Sequence, residues 1–246
     1  MNAMGIDLGG SGFRIGVFEM ATGRLVGPLQ QYLHGNTSGP DEVLASISKA
    51  IEMLRWYGPI GLGFPGAVES NRPTTAPNLG REWVGVEIAK RLEPHHGGRF
   101  ALLNDADAVA VAEAEHGLGH GDAACVLTLT IGTGLGTALH QDGVLVPNLE
   151  YGRWPHPSRA GCLEEHLSGR ARIQEQLSLE AWAVRFQEGL THLEDRLQPD
   201  RIILYGGVME HWSTVKPLLS TQAELMAAKL TETAGPLGAA MAAHAL

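Results

Sequence analysis

Positive charge is scarce in this chain of 246 residues: 18 lysines and arginines stand against 27 aspartates and glutamates, for a formal charge of −9. No block of lysine or arginine occurs, and a duplex-binding surface needs a basic patch, so nucleic acid is not an expected partner. Acidity in the total does not exclude an anionic substrate, because backbone N–H groups bind phosphate without side-chain charge. Cysteine is nearly absent. Cys125 and Cys162 are too few for a disulfide framework and suit a reducing compartment. No apolar run reaches membrane-spanning length, and the segment Met1–Gly5 has neither the basic nor the apolar region of a signal peptide. A soluble cytoplasmic protein without a membrane partner is expected.

What the chain does have is glycine, 32 residues of it, much of it in short runs. Such runs mark tight turns and places where backbone approaches a ligand closely. The balance of 44% apolar and 18% charged residues is that of a globular chain, long enough for one large or two modest domains.

The first glycine run follows a short apolar strand, Ala3–Asp7, and precedes an alternating one, Phe13–Phe18. A Rossmann or Walker loop must open a helix, so a strand on the far side excludes both. A glycine hairpin tip is a different device, whose N–H groups form a nest for phosphate while Asp7 holds water on Mg²⁺. A plain hairpin is the competing reading.

The pattern restarts at Cys125–Thr130, with a second glycine turn over Ile131–Gly136, a strand at Thr137–His140 and a hairpin signal at Asp142-Gly143. Gly12 to Gly23 and Gly132 to Gly143 share one spacing, an echo that suggests two lobes on one plan.

Between and after these runs lie further elements. Ser38 and Asp41 flank Pro40 and open a helix striped by Val43, Ile47, Ile51 and Leu54. Strands are expected at Pro59–Phe64, Arg99–Leu103 and Arg201–Tyr205, and helices at Val86–Leu92, Ala106–His116, Ser178–Arg196 and Gly235–Leu246. The lobe boundary is placed at Asn104, giving lobes of 1–104 and 105–246.

Asn104-Asp105 falls where a strand hands over to a helix, the edge at which open α/β sheets bind ligands. An aspartate there serves either as general base towards a hydroxyl or as a helix cap. Asn78, Glu150 and Glu164 offer the acceptors a polyol needs, or are ordinary surface residues. Cys162 with His156 or His166 lacks the spacing of a zinc site. His95-His96 reads as a solvated loop, and Trp83, Trp154, Trp182 and Trp212 as packing residues.

Taken in order, Gly5-Ile6-Asp7-Leu8-Gly9-Gly10-Ser11-Gly12, Pro65-Gly66, Ala76-Pro77-Asn78, Asn104-Asp105-Ala106-Asp107-Ala108, Gly132-Thr133-Gly134-Leu135-Gly136, Glu150-Tyr151-Gly152 and Gly206-Gly207 resemble the ROK family of sugar kinases. Within it, Asn104-Asp105-Ala106-Asp107 and Gly143-Val144-Leu145-Val146-Pro147-Asn148 look most like polyphosphate glucokinases. The resemblance implies a two-lobed α/β ribonuclease-H-like fold of the actin and hexokinase superfamily, with a sugar cleft between the lobes. It implies that Asp105 deprotonates a hexose 6-hydroxyl, and that Gly66, Asn78, Asn104, Glu150, Arg153 and Glu164 serve the sugar. It assigns Asp7, Gly9, Gly10, Ser11, Gly132, Thr133, Gly134, Gly206 and Gly207 to the donor, polyphosphate or ATP, brought with Mg²⁺. Family habit implies a homodimer.

Two departures qualify the resemblance. Arg153 stands where the family usually has the histidine of Glu-x-Gly-His, and arginine cannot act as a neutral imidazole. The closely spaced cysteines of zinc-type members are reduced to Cys162, so structural zinc is not expected. A sugar-responsive repressor of the same family would carry a helix-turn-helix, for which the six residues before Asp7 leave no room. A degenerate kinase that binds sugar without turnover is the alternative that Arg153 motivates.

Overall fold

The computed structural model describes residues 1–34, 39–119 and 121–246. It contains two compact units, one formed by Met1–Gly117 with Glu232–Leu246 and the other by Leu118–Thr231.

The first unit opens with β1 (Asn2–Leu8), β2 (Gly12–Glu19) and β3 (Arg24–Leu33), followed by α1 (Pro40–Met53) and β4 (Ile60–Phe64). A small hairpin of β5 (Val68–Glu69) and β6 (Arg72–Pro73) comes next, then α2 (Ile88–Arg91), α3 (Glu93–His96), β7 (Phe100–Asn104) and α4 (Asp105–His116). The main sheet has the order β3-β2-β1-β4-β7. β1 is antiparallel to β2 and parallel to β4, which is parallel to β7.

Side-chain size alternates along the parallel strands of this sheet. Met4, Ile6 and Leu8 of β1 and Ile60, Leu62 and Phe64 of β4 pack into one core with Val43, Leu44, Ile47 and Ile51 of α1. Strand periodicity sends the intervening residues, among them Gly5, Asp7, Gly61 and Gly63, to the opposite face. Pro40 at the first turn of α1 presets its backbone angle. Ser38, expected to help open this helix, lies outside the described residues.

The second unit carries β8 (Cys125–Ile131), β9 (Leu135–Gln141), β10 (Val144–Val146), α5 (Leu163–Leu167), α6 (Gly169–Gln174), α7 (Leu179–Leu197), β11 (Arg201–Tyr205), α8 (Trp212–Val215) and β12 (Glu224–Ala227). Its sheet runs β10-β9-β8-β11-β12. Taken strand by strand, this is the order of the first sheet, and the parallel and antiparallel neighbours match as well. The core is built by Leu127, Leu129 and Ile131 against Trp182, Phe186, Leu190 and Leu193 of α7. Ser178 caps α7, its hydroxyl accepting the Ala181 N–H at 3.1 Å. Asp142 and Gly143 both have positive φ, 51° and 77°, as the two-residue turn between β9 and β10 requires.

The repeated plan is therefore present, but not in the residue correspondence that the glycine spacing suggests. The first hairpin closes with Leu8 paired to Phe13 and the second with Ile131 paired to Leu135, so Leu135 answers to Phe13 and Gly12 to Gly134 rather than to Gly132.

The unit boundary also differs from Asn104. Helix α4 packs on β4 and on the last helix, α9 (Ala234–His244), and α9 lies across β1, β4 and β7. Both helices thereby belong to the first unit, which the chain leaves after α4 and re-enters near Glu232.

Three smaller expectations change. His96 is buried and its Nε2 lies 3.0 Å from the Ala89 carbonyl, while His95 meets Ser48 at 2.6 Å, so this pair is packed rather than solvated. The helix expected over Val86–Leu92 is confined to α2. Strand β12, four residues long, gave no periodic signal in the sequence.

The glycine face of the first sheet gives a direct test. A Cβ at Gly5 would overlap the Pro236 carbonyl, and one at Gly61 the Ala239 carbonyl, both on α9. We expect Gly5→Ala and Gly61→Ala each to lower the unfolding free energy by about 1–3 kcal/mol or more. Gly39→Ala, which meets open space but replaces the N-cap of α1, should cost about 1 kcal/mol or less. Urea unfolding of the three variants checks this; a wild-type midpoint for Gly61→Ala would show that the close approach is not obligatory.

Candidate active site

In each unit the motif residues gather at the carboxyl ends of parallel strands, where backbone groups and loop side chains are free to meet a ligand. In the first unit these ends are Asp7 on β1, Pro65-Gly66 after β4, and Asn104-Asp105 at the junction of β7 and α4.

Asn104 is buried and fully employed. Its Oδ1 accepts the N–H groups of Ala106 at 2.9 Å and Asp107 at 3.1 Å, and its Nδ2 donates to the Gly66 carbonyl at 3.2 Å. It is thus the cap of α4 and the link between two motif loops, which makes the capping reading true of Asn104. Asp105 is the first residue of α4, half-buried, with Oδ1 accepting the Ala106 N–H at 2.8 Å. A carboxylate in the first turn of a helix is stabilised as the anion by the aligned peptide dipoles. Gly66 itself admits no side chain, since a Cβ would overlap the Thr75 carbonyl.

The first glycine turn is closed by the Gly9 N–H donating to the Gly12 carbonyl at 2.8 Å, and the His34 N–H donates to the Ser11 carbonyl at 3.1 Å. Gly10 lies against Asn78, a Cβ there falling 3.1 Å from the Asn78 carbonyl oxygen. The structure therefore brings together Gly66 with Asn104 and Gly10 with Asn78. Asp7 is half-buried, and burial pushes its carboxyl above the usual range, opposed by the Arg14 guanidinium 3.7 Å away on the neighbouring strand. Gly235, in the first turn of α9, adjoins the same carboxyl group.

In the second unit, residues of the two glycine motifs also meet. The Gly132 N–H donates to the Gly134 carbonyl at 3.1 Å, and the Gly132 carbonyl accepts the Arg170 N–H at 3.1 Å. Gly206 has φ 128° and sits over the Ile131 carbonyl, one residue before that turn. Gly207 is exposed and meets no neighbouring atom within 4 Å of a built Cβ, so packing does not demand a glycine there.

Glu150 feels the charges of both Arg153 and Glu164. Burial pushes the Glu150 carboxyl up, Arg153 pulls it down, and Glu164 raises it again. The Leu135 N–H donates to Glu164 Oε2 at 3.2 Å, and Gly152 is required because a Cβ would overlap the Leu135 carbonyl. Thr137 Oγ1 donates to the Leu149 carbonyl at 2.8 Å and accepts the Tyr151 N–H at 3.0 Å. Sequence reasoning missed Thr137. The available signal was a hydroxyl between Leu135 and Leu139, on the face of β9 that points into the core.

The three arginines considered as a polyphosphate track do not form one set. Arg14 faces Asp7, Arg159 pairs with Glu188 at 2.7 Å, and the exposed Arg153 acts electrostatically on Glu150. His156 is buried with its Nε2 4.0 Å from Glu188, and the His166 Nε2 lies 2.7 Å from the Ala160 carbonyl. Among the described residues, no group of three or more His, Cys, Asp or Glu side chains is placed to hold a metal ion. Nor is any described helix long and apolar enough to cross a membrane.

Two five-stranded sheets of one topology, each with a glycine hairpin at its first strand pair, define a member of the actin and hexokinase superfamily. The ROK family profile matches residues 3–178, and the chain belongs to the ROK family. It is 32% identical over 245 residues to a polyphosphate glucokinase of Mycobacterium tuberculosis, covering 99% of this chain and 92% of the relative. A polyphosphate glucokinase of Mycobacterium leprae is 31% identical over 98% of this chain and 74% of its own length. Among solved structures, an inorganic polyphosphate/ATP-glucomannokinase from Arthrobacter sp. strain KM superposes with a TM-score of 0.93 at 29% identity, covering 99% and 98% of the two chains. A ROK glucokinase from Streptomyces griseus, in complex with glucose and AMPPNP, shares the fold at a TM-score of 0.82 and 20% identity, covering 98% of each chain.

The raised Glu150 carboxyl has a stability consequence. Because its folded pKa lies above the ordinary 4.5, ionised Glu150 destabilises the fold at neutral pH, and that effect fades as pH falls through the folded pKa. Glu150→Gln should therefore melt higher than wild type at pH 7, with a gap that shrinks towards pH 4.5. Thermal melts across this range would refute the account if the gap were absent or independent of pH.

Proposed function

We propose that this protein is a hexose kinase that phosphorylates the 6-hydroxyl of glucose, with polyphosphate, ATP or both as donor. The observation that carries the reading is Asp105, held at the first turn of α4 beside a cap that is itself anchored to Gly66. Near-full-length similarity to polyphosphate glucokinases supports the sugar and the donor.

In this reading Asp105 accepts the proton of the 6-hydroxyl as that oxygen bonds to the terminal phosphorus of the donor. The bond from phosphorus to the bridging oxygen breaks, releasing ADP or a polyphosphate one unit shorter. Asn78, Asn104, Glu150, Arg153 and Glu164 orient the sugar, and Gly66 fixes the loop to which Asn104 is tied. Gly9, Gly10, Ser11, Gly132, Thr133 and Gly134 face the donor phosphates, with Gly206 and Gly207 bordering the rest of it. Positioning and charge neutralisation supply most of the acceleration in such reactions.

Mg²⁺ accompanies the donor in this proposal. It keeps several waters and is bound through one or two carboxylates plus substrate phosphates. The half-buried Asp7 carboxyl at the end of β1 fits that role, and a dedicated protein cage is not needed. When bound, the ion offsets phosphate charge. We further place the protein in the cytoplasm as a homodimer, which sedimentation at micromolar concentration would check.

A coupled assay pairing glucose, mannose and N-acetylated hexoses with ATP and polyphosphate tests the function; absence of turnover with every pair would leave a sugar-binding protein instead. Asp105→Asn should abolish turnover while glucose binding persists, and substantial residual turnover would remove Asp105 from its role. We assign Arg153 to the sugar, so Arg153→His should weaken glucose binding; tighter binding would mark the arginine as a loss rather than a recruitment.

A further inference from the structure

We infer that Thr137 is a positioning residue for sugar recognition, setting the place of Glu150 through two hydrogen bonds from one buried hydroxyl. The inference rests on the proposed role of Glu150 as a sugar ligand. Thr137 is 1% exposed and lies on β9, with Leu135 and Leu139 on the same core-facing side. Its Oγ1 donates to the carbonyl of Leu149 and accepts the N–H of Tyr151, the residues immediately before and after Glu150. A hydroxyl that uses both its donor and an acceptor on one loop fixes that loop in position and in orientation.

The other neighbours of that loop share the same short stretch of strand. Gly152 rests on the Leu135 carbonyl, and Glu164 is held by the Leu135 N–H at 3.2 Å. The first three residues of β9 therefore set the locations of both carboxylates, Glu164 through a main-chain group and Glu150 through the Thr137 side chain. The Thr137 fixing can be removed by a side-chain substitution that leaves both carboxylates in the chain, and valine removes it with the β-branched shape kept. Leaving the Leu149 carbonyl and the Tyr151 N–H without their partner frees the loop to shift, and Glu150 with it.

The test compares Thr137→Val, Thr137→Ser and Glu150→Gln in the intact protein by glucose titration calorimetry and steady-state kinetics. Thr137→Val should raise the Kd and KM for glucose about tenfold, with donor KM and kcat within about twofold of wild type. Thr137→Ser, which keeps the hydroxyl, should restore glucose binding towards wild type. Equal losses in the valine and serine variants, or unchanged glucose binding in the valine variant, would overturn the inference while leaving the sugar role of Glu150 intact. If Glu150→Gln itself binds glucose normally, that role is wrong and the inference falls with it. Should the valine variant fail to fold, Thr137→Ala against Thr137→Ser is read by the same outcomes.

Discussion

The first unit depends on a contact that admits no side chain. Helix α9 lies so close to the sheet that Gly5 and Gly61, register partners on β1 and β4, each face one of its carbonyls with no room for a methyl group. On the helix side, Gly238 lets α9 approach the Ala108 carbonyl of α4, and Gly235 adjoins Asp7. Close packing of this kind replaces side-chain interdigitation by direct backbone approach, so even one added methyl must displace main chain. The placing of two motif aspartates follows from it: Asp7 lies next to last on the strand that α9 covers, and Asp105 begins the helix against which α9 packs.

The second unit uses the same strand order but secures its motifs differently. Its glycine turn is tied to the start of α6 through Gly132 and Arg170, and the first residues of β9 hold the Glu164 carboxylate and the main chain on either side of Glu150. Glycine is needed at Gly206 and Gly152 because the backbone there meets the Ile131 and Leu135 carbonyls. One plan thus supplies two hairpin tips, and only the first has an aspartate on the strand leading into it. β8 places Leu127, Leu129 and Ile131 on its core face and ends without a carboxylate.

Most of this was legible in the sequence because strand alternation and glycine turns are local signals. The strands around both turns, the cap at Ser178 and the Asp142-Gly143 hairpin are short-range features, and each occurs where spacing placed it. The glycines that alternate with large residues in β1 and β4 face a helix that lies far along the chain. That distance is why the boundary at Asn104 differs from the observed units: no local pattern tells α9 to return to β1. Long-range hydrogen bonds were hidden for the same reason. Thr137 to Leu149 and Leu135 to Glu164 join segments whose sequence separation says nothing about their meeting. Glu164 gains most from the fold, which ties its carboxylate to the Leu135 N–H and brings its charge to bear on Glu150.

The return of α9 to the first unit also orders events during synthesis. A nascent chain that has reached Thr231 holds every residue of the second unit but lacks the helix that covers Gly5 and Gly61. Domains generally fold as units while the chain is still being made, the earlier one first. Here the unit begun first is completed last, since residues 232–246 supply the helix that covers its glycine face.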